Sequence, residues 1–246
     1  MKLVRLLAKH RSLGSQAASR ALAGGRVTLN DAVVTEANRE VTRFDHVRLD
    51  GEVLQTGCRA LYLMLHKPSG IVSATHDPAH RTVIDLIDDP DRETLHLAGR
   101  LDRSTTGLML LTNDGAWSKR ITEKAFGITK TYLVQTRDPM DPAIVRDFAR
   151  GFYFATENIT TQPAELTLLD SHHARLTLSE GRYHQIKRMF HRVQNRVTAL
   201  HREAIGPIQL PHDLPPGHWR PLTPAERDSI LRRVFNEVFD EVFDEV

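Results

Sequence analysis

Gly99-Arg100-Leu101-Asp102-Arg103-Ser104-Thr105-Thr106-Gly107-Leu108-Met109-Leu110-Leu111-Thr112 is a polar connection that runs into an unbroken apolar segment. The run over 107–112 has the length of a strand rather than a helix, and Asn113-Asp114-Gly115 stops it with turn-forming residues before a helix. It predicts a buried strand, with Asp102 on the connection that enters it. Upstream, Leu61, Leu63 and Leu65 alternate as one face of a strand that leads into the turn Lys67-Pro68-Ser69-Gly70, and a loop rich in Asp and Pro follows to about 94. Downstream, strands are expected over 131–136 and 174–178, with a helix over 142–150 between them. After Glu180-Gly181, Ile186, Met189, Phe190 and Val193 fall at i, i+3, i+4 and i+7, which predicts a helix with Lys187, Arg188, His191 and Arg192 on its other faces. Thr223, Pro224 and Glu226 have the spacing of a capping box at the start of a last helix.

The first 59 residues read as a separate small unit. Leu3, Leu6 and Leu7 recur at helical spacing, Ser15 is the expected N-cap of a second helix over 16–22, and Gly24-Gly25 ends it. A hairpin over 26–35 turning at Asp31 and a strand over 46–49 complete an αα-plus-β unit. The chain thus divides into 1–59, a larger α+β domain over 60–234, and an acidic tail over 235–246 in which Val-Phe-Asp/Asn-Glu repeats three times.

Charge is segregated along these parts. The net charge is only +2, yet residues 1–30 hold Lys2, Arg5, Lys9, Arg11, Arg20 and Arg26 with no acidic residue, a second basic block spans 182–202, and the tail offsets both. Two cationic patches fit a polyanion, because each neutralised phosphate releases counterions; an ordinary solvated face fits them equally well. No apolar run approaches the roughly 18 to 20 residues that span a bilayer, and charges interrupt the apolar residues of the N-terminus, so a soluble, cytoplasmic protein is expected. Cys58 is the only cysteine, which leaves no internal disulfide. His172, His173, His191 and His201 lack metal-site spacing, and no phosphate loop or dinucleotide fingerprint occurs. Neither metal nor cofactor is expected.

Alone, an aspartate after Arg-Leu is weak ground for chemistry. Here the segment around Asp102 is followed in order by Lys130-Thr131-Tyr132-Leu133-Val134 and by Glu180-Gly181-Arg182-Tyr183-His184-Gln185-Ile186-Lys187-Arg188-Met189-Phe190. Together they resemble the three motifs of the RsuA/RluA superfamily of pseudouridine synthases, nearest its RsuA branch, which acts on ribosomal RNA. The similarity continues through Leu200-His201-Arg202-Glu203 and Trp219-Arg220-Pro221-Leu222-Thr223, and the first segment is similar to the S4 RNA-binding domain of that branch. His66 and Arg103 depart from the pattern, where asparagine and a smaller or acidic residue are usual.

The resemblance implies a mixed, mostly antiparallel sheet with a central cleft holding Asp102 as the catalytic carboxylate. Lys187 would keep that carboxylate ionised, though without the motif a phosphate contact or a solvated helix lysine is the simpler reading. Tyr132 would stack on the flipped uracil and take a proton from the sugar, against the plainer role of a core aromatic. Arg100 would fill the space the base vacates or form a structural salt bridge. Lys67, Arg182 and Arg188, with Arg5, Lys9, Arg11, Arg20 and Arg26 of the first unit, are the expected RNA contacts; His184 and Gln185 are expected only to shape their loop. Moving uracil from an N1 to a C5 attachment needs no oxidant, net hydrolysis or energy donor. Asp102 either adds to the anomeric carbon or stabilises a cationic or glycal-like species, and both routes call for a closed, water-poor cleft. The implied substrate is small-subunit (16S) ribosomal RNA, free or in a partly assembled subunit, with uridine 516 as the target and a monomeric enzyme. The competing readings are a synthase for large-subunit (23S) RNA and a non-catalytic RNA-binding or ribosome-assembly factor.

Overall fold

The computed structural model describes residues 1–10 and 13–231, so Arg11 and the acidic segment 235–246 lie outside it. The chain forms two compact units that divide after Ala60. None of the described helices is long and apolar enough to cross a membrane.

In the first unit, helices α1 (Leu3–Lys9) and α2 (Ser15–Ala23) accompany an antiparallel sheet of β1 (Val27–Leu29), β2 (Ala32–Val33), β3 (Val47–Leu49) and β4 (Glu52–Gln55), in the order β2-β1-β3-β4. Leu3 and Leu7, one helical turn apart, share a core with Ala18, Leu22, Val27, Leu29 and Val47. Asn30 and Asp31 both take positive φ (51° and 65°), the conformation a tight two-residue hairpin requires. The N-cap of α2 is Gly14 rather than the expected Ser15: its φ of 77° suits glycine, and Ser15 becomes the first helical residue. Strand β4 escaped the sequence reading because its residues are all exposed or half-buried and show no alternation.

The second unit is built on one sheet in the order β11-β12-β8-β13-β7-β5-β15, with β6 on β7 and β14 on β13. Its strands are β5 (Tyr62–Lys67), β6 (His96–Leu97), β7 (Thr106–Thr112), β8 (Lys130–Thr136), β11 (Glu165–Leu168), β12 (His173–Leu178), β13 (Val197–Ile205), β14 (Ile208–Gln209) and β15 (Trp219–Pro221), while β9 (Tyr153–Phe154) and β10 (Ile159–Thr160) form a separate hairpin. Every pairing is antiparallel except β7 with β13, and this parallel pair joins the two halves. The fold is the mixed α+β sheet expected.

The pleat sorts alternate residues to opposite faces. On β5 and β7, Leu63, Leu65, Met109 and Leu111 enter one core with Ile186, Met189 and Phe190 of α5 (Gln185–Arg192) and Phe148 of α4 (Ile144–Arg150). Met64, Leu108 and Leu110 enter the other, with Trp117 and Ile121 of α3 (Gly115–Thr122) and Ile230 of the helical residues 224–231. Burial on both faces is why β7 reads as a continuous apolar run. Asp114 caps α3 by accepting from the amides of Ala116 and Trp117, and Thr223 and Glu226 make the reciprocal capping box.

Gly107 lets the parallel pair approach. Its φ is +109°, and a Cβ there would lie 2.3 Å from the Arg202 carbonyl oxygen. Gly107→Ala is expected to lower stability by about 2–4 kcal/mol, the combined scale of overpacking and backbone strain. Urea unfolding measures it, and a loss below about 0.5 kcal/mol would mean that β7 and β13 separate freely there.

Candidate active site

Asp102 sits on the loop between β6 and β7, and neighbouring segments fasten that loop at both ends. On one side the Ser73 hydroxyl donates to the Leu101 carbonyl (2.7 Å) and accepts from the Leu101 amide (3.1 Å). On the other, the Gly70 amide donates to the Arg103 carbonyl (2.8 Å) and Arg103 Nε returns a bond to the Gly70 carbonyl (3.0 Å). Arg103, a departure from the family pattern, thus serves the backbone. The other departure, His66, places Nδ1 2.8 Å from the Leu214 carbonyl oxygen.

Lys67 must be corrected. Expected to meet RNA, it is completely buried, and its Nζ donates to the carbonyls of Pro68, Arg103 and Thr105 at 2.9–3.1 Å. Three acceptors from two segments draw the ammonium inside, where it pins the loop. Burial pulls its pKa down to about 8; the charge of Asp102 opposes the shift and that of Arg202 adds to it. Between about pH 8 and 10.5 the unfolded chain therefore holds more protons than the folded one, so this group's contribution to stability rises with pH in that window. Urea midpoints of wild type and Lys67→Met should diverge in favour of wild type from pH 8 to 10; a constant difference would contradict the lowered pKa of Lys67.

Asp102 is gripped by both oxygens. Oδ2 accepts from Lys187 Nζ at 2.7 Å, and Oδ1 lies 3.4 Å from His184 Nε2. Lys187 projects from the first turn of α5. His184 occupies the N-cap of that helix with φ 49°, a left-handed backbone uncommon outside glycine, and its ring stacks on Tyr183 at 3.9 Å between centroids. Buried Glu180 anchors the turn: it accepts from the Gln162 amide (2.9 Å) and the Gln185 side chain (3.0 Å) and pairs with Arg182 and Lys124. Burial alone would raise the Glu180 pKa, but these bonds and charges outweigh it and hold the carboxyl below its ordinary value. His184 and Gln185 therefore do more than shape the loop, one touching Asp102 and the other sealing the anchor.

Tyr132, on β8, is buried, and its hydroxyl accepts from Arg202 Nη1 at 3.4 Å. Arg202, on β13 and only 3% exposed, also donates from Nε to the Leu108 carbonyl (2.8 Å) and from Nη1 to the Arg100 carbonyl (3.3 Å). One guanidinium thus links β7, β8 and the Asp102 loop. It was missed because it lies in a basic block that reads as a cationic surface; its place in Leu200-His201-Arg202-Glu203 was the available signal. Lys130 donates to the carbonyls of Ile121 and Ile128, and burial followed by the charge of Arg202 pulls its pKa down to about 8.

Arg100, Asp102, Tyr132, His184, Lys187 and Arg202 line one cavity of about 630 Å³, the scale of a small-molecule site. The expected dry cleft is not closed: the Asp102 side chain is 28% exposed, so water reaches it in the free protein. At the rim Arg100 is exposed, with no side-chain partner among the described residues. Arg188 and Arg182 are engaged, Arg188 with Glu157 (2.6 Å) and over the Phe154 ring, Arg182 with Glu180 and Glu157. In the first unit Arg5, Lys9 and Arg20 are exposed and Arg26 pairs with Asp50. The Arg26–Asp50 pair is exposed, so exchanging its carboxylate for a phosphate costs little, whereas Arg182 is held by the buried Glu180. Among the described residues no cluster of His, Cys, Asp and Glu is arranged to hold a metal ion.

Residues 61–192 match the family model for RNA pseudouridylate synthase. The chain is 49% identical over 230 residues to the ribosomal small subunit pseudouridine synthase A of Pseudomonas aeruginosa, covering 94% of this chain and 100% of the relative. It is 43% identical over 231 residues to the Escherichia coli protein of the same name, with the same coverage. A crystal structure of a pseudouridylate synthase superposes with a TM-score of 0.68 at 37% identity, covering 94% of this chain and 99% of that one. Near full-length relatives at this identity, and a family model that spans Asp102, Tyr132 and Lys187, show that the chain belongs to the RNA pseudouridylate synthases.

Proposed function

We propose that the chain converts one uridine of small-subunit (16S) ribosomal RNA, uridine 516 by expectation, into pseudouridine, with Asp102 acting at the ribose. The observation that carries this reading is the Asp102–Lys187 pair at 2.7 Å in a cavity that also holds Tyr132. In the reaction the N1–C1′ bond breaks, a C5–C1′ bond forms, the C5 proton leaves and N1 takes up a proton, so nothing is oxidised and no water is added. A lone carboxylate suits this chemistry. Glycoside hydrolysis employs a second one, which in inverting enzymes activates water, and water here would release the base.

The uridine must first leave its stack, which costs a few kcal/mol. Arg100, exposed and without a side-chain partner among the described residues, would fill the gap, and Tyr132 would meet the uracil ring. Because Asp102 is wet in the free protein, bound RNA itself would complete water exclusion. The first unit, with Arg5, Lys9 and Arg20 exposed on its helices, acts as the S4-like RNA grip. The enzyme works as a cytoplasmic monomer on free RNA or a partly assembled subunit. Near full-length identity to proteins named for the small subunit supports that substrate over large-subunit RNA.

Purified protein should release tritium from 16S RNA labelled at uracil C5, and a strain lacking it should lose one pseudouridine from small-subunit RNA. A pseudouridine lost from the large subunit instead would overturn the assignment.

A further inference from the structure

Tyr183 is 78% exposed, more than any other large hydrophobic side chain among the described residues, yet its ring is not loose. It lies on the His184 imidazole at 3.9 Å with 19° between the planes, and His184 Nε2 is in turn 3.4 Å from Asp102 Oδ1. Carboxylate, imidazole and phenol thus form an ordered column that ends in an open aromatic face at the rim of the cavity. The left-handed backbone of His184, supported by the Glu180 anchor, holds the column in place. The core gains nothing from an aromatic ring left in water. Arg100, a cation with no side-chain partner among the described residues, lines the same cavity.

An exposed, pre-ordered ring beside cationic groups is the usual means of gripping unpaired RNA, because every base offers a π-face. Base flipping creates the need for it: when the target uridine enters the cavity, the neighbouring base loses a stacking partner. We propose that the outer face of Tyr183 is a stacking platform for the nucleobase adjacent to the target uridine, which makes Tyr183 a substrate-positioning residue. The proposal rests on the uridine-isomerising function above and adds a contact outside the uracil pocket.

The test uses full-length protein and small-subunit RNA, free or in a partly assembled particle, with 2-aminopurine placed in turn 5′ and 3′ of the target. Wild type and Tyr183→Phe should quench the fluorophore at one of the two positions, and Tyr183→Leu should not. Base–aromatic stacking energies correspond to a loss of about 5- to 150-fold in affinity for Tyr183→Leu, falling on KM more than on kcat. An abasic nucleotide at the quenched position should weaken wild type by a similar factor and leave Tyr183→Leu nearly indifferent. Quenching by Tyr183→Leu equal to wild type, affinity within twofold, or an abasic penalty equal in both proteins would each overturn the platform. Tritium release by wild type from unsubstituted RNA is read in parallel. If release occurs but the Tyr183 effects do not, the platform alone fails; if the effects occur without release, the isomerase reading fails and the platform stands.

Discussion

Asp102→Asn should remove tritium release from C5-labelled RNA by about 10⁴-fold or more, which is about 5.4 kcal/mol of transition-state stabilisation at 1.36 kcal/mol per decade. The amide has nearly the shape of the carboxylate, and its oxygen still accepts from Lys187, so the loop pinned by Ser73, Gly70 and Lys67 keeps its form. What disappears is the negative charge, and an amide neither adds to an anomeric carbon nor stabilises a cationic sugar. Because both groups of the pair are about a third exposed, its loss should change folding stability by no more than about 1 kcal/mol. Affinity for RNA should remain within about threefold of wild type. Single-turnover tritium release with a parallel binding assay reads both quantities, and activity within tenfold of wild type would exclude Asp102 as the acting carboxylate.

Lys187→Met should reduce turnover by about 10²- to 10³-fold, the scale on which removal of one preorganised charged or hydrogen-bonding group weakens a transition state. With the ammonium gone, Asp102 retains only the His184 imidazole at 3.4 Å and loses the contact that aims Oδ2. Lys187→Arg should recover part of the rate, since charge is restored but a planar fork replaces a compact donor. The same variants separate the two readings of this lysine. Because Nζ is engaged by Asp102 and Ser104, RNA affinity of Lys187→Met should change by less than about threefold. A tenfold loss of affinity with turnover preserved would instead make Lys187 a phosphate contact.

Much of the second unit was legible in local pattern. The run over 107–112 is apolar throughout because β7 is buried on both faces; Ile186, Met189 and Phe190 mark one stripe of α5; Thr223 and Glu226 announce a helix start. Strand β13 was not, because its alternation is broken by register shifts against β8 and its parallel partner β7 lies about a hundred residues earlier in the chain. Charge misled for a related reason. Lys67 and Arg202 carry the same formal charge as Arg100, yet both are interior, since distant segments deliver backbone carbonyls to them. A buried cation is stable only with such partners, and sequence order does not show which acceptors converge.

From residue types and spacing came the two-unit division and the position of Asp102 ahead of a rigid strand, and the resemblance to the family motifs added the pairing of Asp102 with Lys187. Only the folded chain decided that Lys67 faces inward, that His184 touches the second oxygen of Asp102, and that Arg202 ties Tyr132 to the Asp102 loop. These are outcomes of distance and burial, and both arise when segments far apart in the chain come together.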